Sequence, residues 1–237
     1  MTAQATNRYM QSTARAATTR ATTAIRAKLG AVSLAISGIL FVLYPALRPF
    51  SSEKGLDGAA AFGSNHWIEA HMLAMVGFTL LALGIVGWYS SLQSTASESG
   101  AFRALVVTLA AIGLTLPFYG GEAYGLHAIG QEALTRGDGS LVEMSTVVRG
   151  GAGLVMFLIG LLLLAVGAIL VARVIWTASD ANKWIGIPFA VAFALYIPQF
   201  FANQPLRVGH GLLVALGCAL IAANMWRRSG KEAEALS

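Results

Sequence analysis

Cysteine is almost absent from this chain of 237 residues: Cys218 stands alone. No internal disulfide and no cysteine-based metal cage can form. Buried in an apolar run, Cys218 reads as a small packing residue. Charge is scarce as well, at 11% of residues against 56% hydrophobic and a mean hydropathy of +0.67. Soluble domains carry about 25% charged residues, so this set cannot cover a water-exposed surface. Acids are missing altogether from the first 28 positions, which hold Arg8, Arg15, Arg20, Arg26 and Lys28. A one-sign flank beside an apolar segment reads as a topology signal and an anionic-lipid contact, and not as a nucleic-acid interface, despite a pI near 9.7.

Three motifs are missing. The last apolar run has no rhodopsin-type lysine, and the chain has no nucleotide-binding loop and no serine-hydrolase elbow. The inner halves of the second, fourth and sixth apolar runs hold no Asp, Glu, Lys, Arg or His before the loop residues Arg173 and Arg227. Carriers of ions and polar solutes place such groups near the midplane, so that class ranks low.

What is present is a set of long apolar runs, near 29–48, 67–89, 104–124, 150–174, 184–203 and 207–226. Each suffices to cross a hydrocarbon layer about 30 Å thick, which takes roughly 20 helical residues. The expected fold is therefore all-α, a polytopic transmembrane bundle of six spans. Residues 1–28 are expected to be a disordered basic tail and 227–237 a second tail. With both termini cytoplasmic, Arg48, Lys54, Arg136, Arg149 and Arg207 lie outside, and the other eleven of sixteen basic residues lie inside. Trp67 then marks an outer end, and Trp88, Trp176, Trp184 and Trp226 mark inner ends, as an aromatic belt would. Two outer loops, about 49–65 and 128–147, are mildly polar. Gly153, Gly160 and Gly167 recur every seven residues, as do Gly77 and Gly84. Small residues at that repeat read as close helix packing.

The polar residues gather at one end. His66, Glu69 and His71 open the second run, Glu122 and His127 follow the third, and Arg149 precedes the fourth. Gln199 and Asn203 close the fifth, and Arg207 and His210 open the sixth. Under strict alternation all of these lie on the outer side. Ionisable groups at membrane depth are costly and mark function. The string HWIEAH (66–71) does not make a zinc motif, because such histidines need a spacing of four and these stand five apart. His66 reads as interfacial. His71 and His210 fall about one turn inside the boundary. They either ligate a haem or transition metal jointly or hydrogen-bond neighbours such as Gln199, Tyr44 or Glu122. Glu69, Glu122, Arg149 and Arg207 either pair with one another or use their arginines to clamp a ligand carboxylate or phosphate. The candidate ligand-binding set is Glu69, Glu122, His127, Arg149, Gln199 and Arg207, with His71 and His210 the candidate metal pair.

The strings PFYGGEAYGLHAIGQEAL and PFAVAFALYIPQFF resemble those of six-span membrane proteins of high-GC Gram-positive bacteria, over most of residues 30–226. The resemblance implies a helical bundle in the bacterial cytoplasmic membrane and implies no activity. The function expected is that of an integral membrane protein whose outer-side His/Glu/Arg cluster binds a small molecule, metal or haem. The alternatives are a permease for an apolar or amphipathic substrate and a structural subunit of a membrane complex.

Overall fold

The computed structural model describes residues 3–178 and 182–234. Among them every regular element is helical. The helices are α1 (Ala3–Leu47), α2 (Gly55–Phe62), α3 (Asn65–Ser90), α4 (Glu98–Gly120), α5 (Leu126–Arg136), α6 (Ser145–Val148), α7 (Gly151–Thr177), α8 (Ile187–Ala194) and α9 (Gln204–Glu234). Five stretches are long and apolar enough to cross a membrane: Ala21–Leu47, Asn65–Ser90, Glu98–Arg136, Gly151–Thr177 and Gln204–Gly230.

The fifth expected span, 184–203, is not one helix. Lys183–Gly186 is a tight turn, α8 follows with Pro188 in its first turn, and a second tight turn covers Pro198–Phe201. Pro198 has no amide to donate to the carbonyl of Ala194, the residue at which α8 ends. The broken segment still runs the length of the bundle. Trp184 packs on Trp176 at one end, and Gln199 bonds to Arg207 at the other. Irregular backbone of this kind is tolerated in an apolar setting when it is packed against protein.

Six elements close a ring. α1 packs on α3, α3 on α4, α4 on α7, α7 on α8, α8 on α9, and α9 back on α1. Aromatic rings fill the middle. Phe41 meets Phe78 at 4.9 Å, Phe78 meets Tyr119 at 5.3 Å, and Tyr119 meets Phe157 at 6.0 Å. Phe193 stacks on Tyr196 below them. The outward faces are apolar too, with Leu29, Ile39, Leu83, Val106, Leu162 and Leu212 exposed. Apolar faces on every side are compatible with a bundle that lies in a membrane.

Both expected tails differ. α1 begins at Ala3, inside the stretch expected to be disordered, and α9 continues to Glu234. The N-terminal stretch is rich in alanine and contains neither proline nor glycine before Gly30, so helix propensity carries it. The side chains of Arg8, Arg15 and Arg20, expected at a lipid surface, lie outside the described residues. The two stretches expected to be mildly polar outer loops, about 49–65 and 128–147, hold helices. α2, α5 and the tight turn Gly139–Met144 make a cap with its own core of Ala59, Phe62, Trp67, Leu126, Ala133 and Val142. Trp67 is therefore fully buried, and so is Trp88 to within 3%. Only Trp176, Trp184 and Trp226 are exposed as belt residues would be.

Glycine sets the helix spacing. Gly30 and Gly87 face each other between α1 and α3, where a Cβ on Gly87 would come within 2.6 Å of the Gly30 Cα. Gly160 and Gly167 press on Thr115 and Thr108 of α4, whereas Gly153 of the same repeat touches nothing. Gly87→Val should therefore lower stability by about 1–3 kcal/mol through overpacking. Gly113→Ala, where a Cβ meets open space, should be neutral or stabilising. Thermal unfolding in a mild detergent measures both, and equal behaviour of the two variants would contradict this packing.

Candidate functional site

The site begins with a helix that fails to end. Pro117 removes one amide from α4, and Gly120-Gly121 favours no helix strongly. Over Gly121–Gly125 the helix widens into a π turn, closed by the Leu126 amide on the Gly121 carbonyl, and then resumes as α5. Single π turns of this kind concentrate at functional positions. The widened turn carries Glu122. Its carbonyl accepts a 2.7 Å hydrogen bond from the Trp67 indole, which fixes the turn against α3.

Glu122 grips Arg149 with both oxygens, Nε to Oε1 at 2.6 Å and Nη2 to Oε2 at 3.0 Å. Arg149 lies between α6 and α7. Its remaining terminal nitrogen bonds Glu53 at 2.5 Å. The other Glu53 oxygen accepts from Arg48 at 2.6 Å. The alternation Arg48–Glu53–Arg149–Glu122 uses all four carboxylate oxygens and joins segments before α2, after α4 and before α7. Arg48 also lies over the Trp67 ring at 4.6 Å. Burial alone would raise the Glu53 pKa, but the Arg149 and Arg48 charges and hydrogen bonds outweigh it and hold the carboxyl below its ordinary value of 4.5. The same two acids raise the Arg149 pKa despite its burial.

Arg207 is different. It lies in the first turn of α9, capped by Asn203, whose side chain accepts from the Leu206 amide. Arg207 is only 7% exposed. Its Nε donates to Gln199 Oε1 at 3.0 Å, and its guanidinium sits 5.1 Å from the Phe50 ring and 5.3 Å from the Phe200 ring. Among the described residues no carboxylate pairs with it. Two aromatic faces give a desolvated cation roughly 2 kcal/mol or more each at best, which offsets part of the several kcal/mol that burial of an unpaired ion costs.

These groups rim one cavity of about 630 Å³, within the roughly 300–1,000 Å³ of small-molecule sites. Arg48, Glu53, Glu122, Arg149 and Arg207 line it with Tyr44 and Tyr119, and Phe118, Phe157, Phe200, Leu154, Leu158 and Ile197 form its apolar wall. Below it the Tyr119 and Tyr196 hydroxyls share a 2.9 Å hydrogen bond.

Of the expected residues, Glu122, Arg149 and Arg207 line this cavity, and Gln199 supports it by orienting Arg207. Glu69 does not join them: it is exposed on α3 and has no ion-pair partner among the described residues. His71 and Trp67 take the inward positions of that turn, and position 69 therefore faces out. His127 lies in the cap, with Nδ1 donating to the Phe62 carbonyl at 3.0 Å. His66 is exposed.

The two deep histidines are not brought together. His71 Nδ1 donates to the Trp67 carbonyl at 2.7 Å, and its ring packs on Trp67 and Tyr44. Its Nε2 is buried without a hydrogen bond, 3.7 Å from Glu122 Oε2. His210 commits Nε2 to the Ala192 carbonyl at 2.8 Å and packs on Tyr196. Tyr44 and Tyr119 pack on His71, and Tyr196 packs on His210. No group of three or more His, Cys, Asp or Glu among the described residues is placed to hold a metal ion.

The sequence reading missed Arg48, Glu53 and the tyrosine pair. Arg48 and Glu53 sat in what read as a loop boundary and a loop, and the only signal was an acid following a base by five positions between Pro49 and α2. A search of protein-family models, curated proteins and solved structures finds no match for the chain.

Glu122→Gln should destabilise the protein by about 3 kcal/mol, since it strips Arg149 of its two-oxygen partner in a mostly buried setting. Exchanging the charges (Glu122→Arg with Arg149→Glu) should not restore stability, because it sets a carboxylate at position 149 against Glu53. Denaturation of the three proteins side by side checks both statements.

The Glu53 pairing also sets a pH dependence. With its folded-state pKa depressed, its contribution is present above the ordinary 4.5 and is lost as pH falls through the lower folded value. The drop in unfolding temperature between pH 7 and pH 3 should be smaller in Glu53→Gln than in the wild type.

Proposed function

We propose that the chain is a multi-pass protein of the bacterial cytoplasmic membrane that binds a small molecule in the cavity rimmed by Arg48, Glu53, Glu122, Arg149 and Arg207. Six crossings, both termini cytoplasmic, place that rim on the extracytoplasmic side. Five long apolar helices, and a broken segment that runs the same length beside them, support the crossings. Orientation rests on the basic residues of the opposite end, where Lys28 lies 5.5 Å over the Trp226 ring and the exposed Trp176 and Trp184 pack together. The resemblance to six-span membrane proteins of high-GC Gram-positive bacteria agrees with this setting.

The observation that carries the binding function is the cavity itself: an apolar pocket whose polar groups converge at one end, in a protein otherwise filled to its centre. Tyr119 lines the cavity and packs on Phe78 and Tyr196, which in turn meet Phe41 and Phe193, and towards the tryptophan-rich end the core is mainly Leu34, Leu81, Ile85, Leu164, Val171 and Ile221. A closely packed, mainly aliphatic core offers a polar solute no path, which favours a receptor for a bound molecule over a permease for polar solutes.

Cysteines placed at Ser52 and Ser140, both exposed, should react with an impermeant thiol reagent in intact cells, while the buried native Cys218 stays silent. Protection of both would reverse the orientation. Native mass spectrometry of the protein purified in mild detergent should show a small-molecule adduct. Leu158→Trp, which fills the cavity wall, should lose it, and Leu162→Trp, on the exposed face one turn away, should keep it. An adduct insensitive to Leu158→Trp, or none with the wild type, overturns the binding reading.

A further inference from the structure

We propose that the ligand is an amphiphile with one anionic head, a carboxylate or a phosphate monoester, held by Arg207, with its tail along the Phe118–Phe157–Phe200 wall. This rests on the cavity being a binding site, as proposed above. The charges select the head. Every oxygen of Glu53 and Glu122 already accepts from Arg48 or Arg149. Those four groups cancel, and they leave no carboxylate for an ammonium group to meet. Cationic and zwitterionic heads therefore find no partner. Arg207 is the one cation on the rim with no acid against it among the described residues, and it is more than nine-tenths buried. Gln199 takes only Nε, so the two terminal nitrogens remain for a planar or tetrahedral oxyanion, which a guanidinium binds through paired hydrogen bonds.

The wall selects the tail. Phe118 stacks on Phe157 at 4.1 Å, and Phe157 meets Phe200 at 5.9 Å, which makes a continuous aromatic strip leading away from Arg207. The outer side of the cavity is formed by Leu154, Leu158 and Phe201, which are exposed on the apolar flank of the bundle, Phe201 by 89%. They belong to α7 and to the turn after α8, the one place in the ring where the wall element is a broken segment and not a long helix. The cavity thus opens sideways onto the lipid-facing surface. An acyl chain can enter there from the outer leaflet while its head stays at the polar rim.

Equilibrium binding of radiolabelled oleate to the detergent-purified protein tests the proposal. Saturable binding is expected. Dodecyl phosphate should displace it, and oleyl alcohol, oleylamine and inorganic phosphate should not. Phosphatidylglycerol in the micelle separates a membrane lipid from a free amphiphile as source: competition assigns the site to the lipid, and its absence assigns it to single-chain acids. Either result keeps the anionic head. Arg207→Gln should weaken oleate at least tenfold, and Arg207→Lys, which keeps the charge without the fork, by less. The comparison of acid with alcohol needs no variant and stands if Arg207→Gln fails to fold. Oleyl alcohol or oleylamine binding as tightly as oleate, with Leu158→Trp abolishing it, would overturn the anionic head and leave the cavity as an apolar site. Oleate binding unaffected by Leu158→Trp would overturn the cavity reading as well.

Discussion

Arg149 is the joint on which the polar end depends. One guanidinium holds a carboxylate from the widened turn after α4 and another from the segment that precedes α2. Its own position between α6 and α7 brings the cap into register with the bundle. The interaction is strong for a physical reason. The planar fork satisfies two acceptors on one carboxylate and one on the next, in surroundings where water competes weakly. Remove that cation and two partly buried acids face each other across the cavity mouth. The π turn, the cap and the rim are consequences of one arrangement: a helix opened by Pro117 and two glycines, pinned by Trp67, and charged by Glu122.

The same geometry explains why Arg207 stands apart. Asn203 starts α9 late, after the turn at Pro198–Phe201, and this puts Arg207 in the first helical turn. There it adds to the positive end of the helix dipole. Phe50 and Phe200 cover its faces without neutralising it. A rim of two saturated ion pairs and one uncompensated cation has a direction. Its field points into an apolar cavity, where an opposite charge is attracted far more strongly than in water.

The helical class and five of the crossing-length elements were legible from apolar run length alone, because a run of twenty such residues has few alternatives. The gathering of Glu122, Arg149 and Arg207 at one end was legible from alternation. What was not legible depends on rotation about a helix axis. Glu69 and His71 stand two positions apart and face opposite ways, and nothing in a single sequence sets that angle. Trp67 read as a belt residue because belts and cap cores draw the same amphipathic side chain. Glu53 was invisible for another reason: its partners are 5 and 96 positions away. The fifth run read as a span by composition, and only its backbone shows Pro198 breaking it.

The ring closes where the chain's first long helix meets its last: α1 has α3 on one side and α9 on the other. Glycines and small residues at the α1–α9 seam, such as Gly38 against Ala215 and Gly211 against the Phe41 backbone, allow no substitute to fill that groove. During synthesis α1 therefore emerges with one flank unmatched and keeps it so until α9 has been made. Contacts of this sequence separation form slowly. In the interval between the arrival of α1 and that of α9, the face of α1 that α9 covers has no partner within the helices already made.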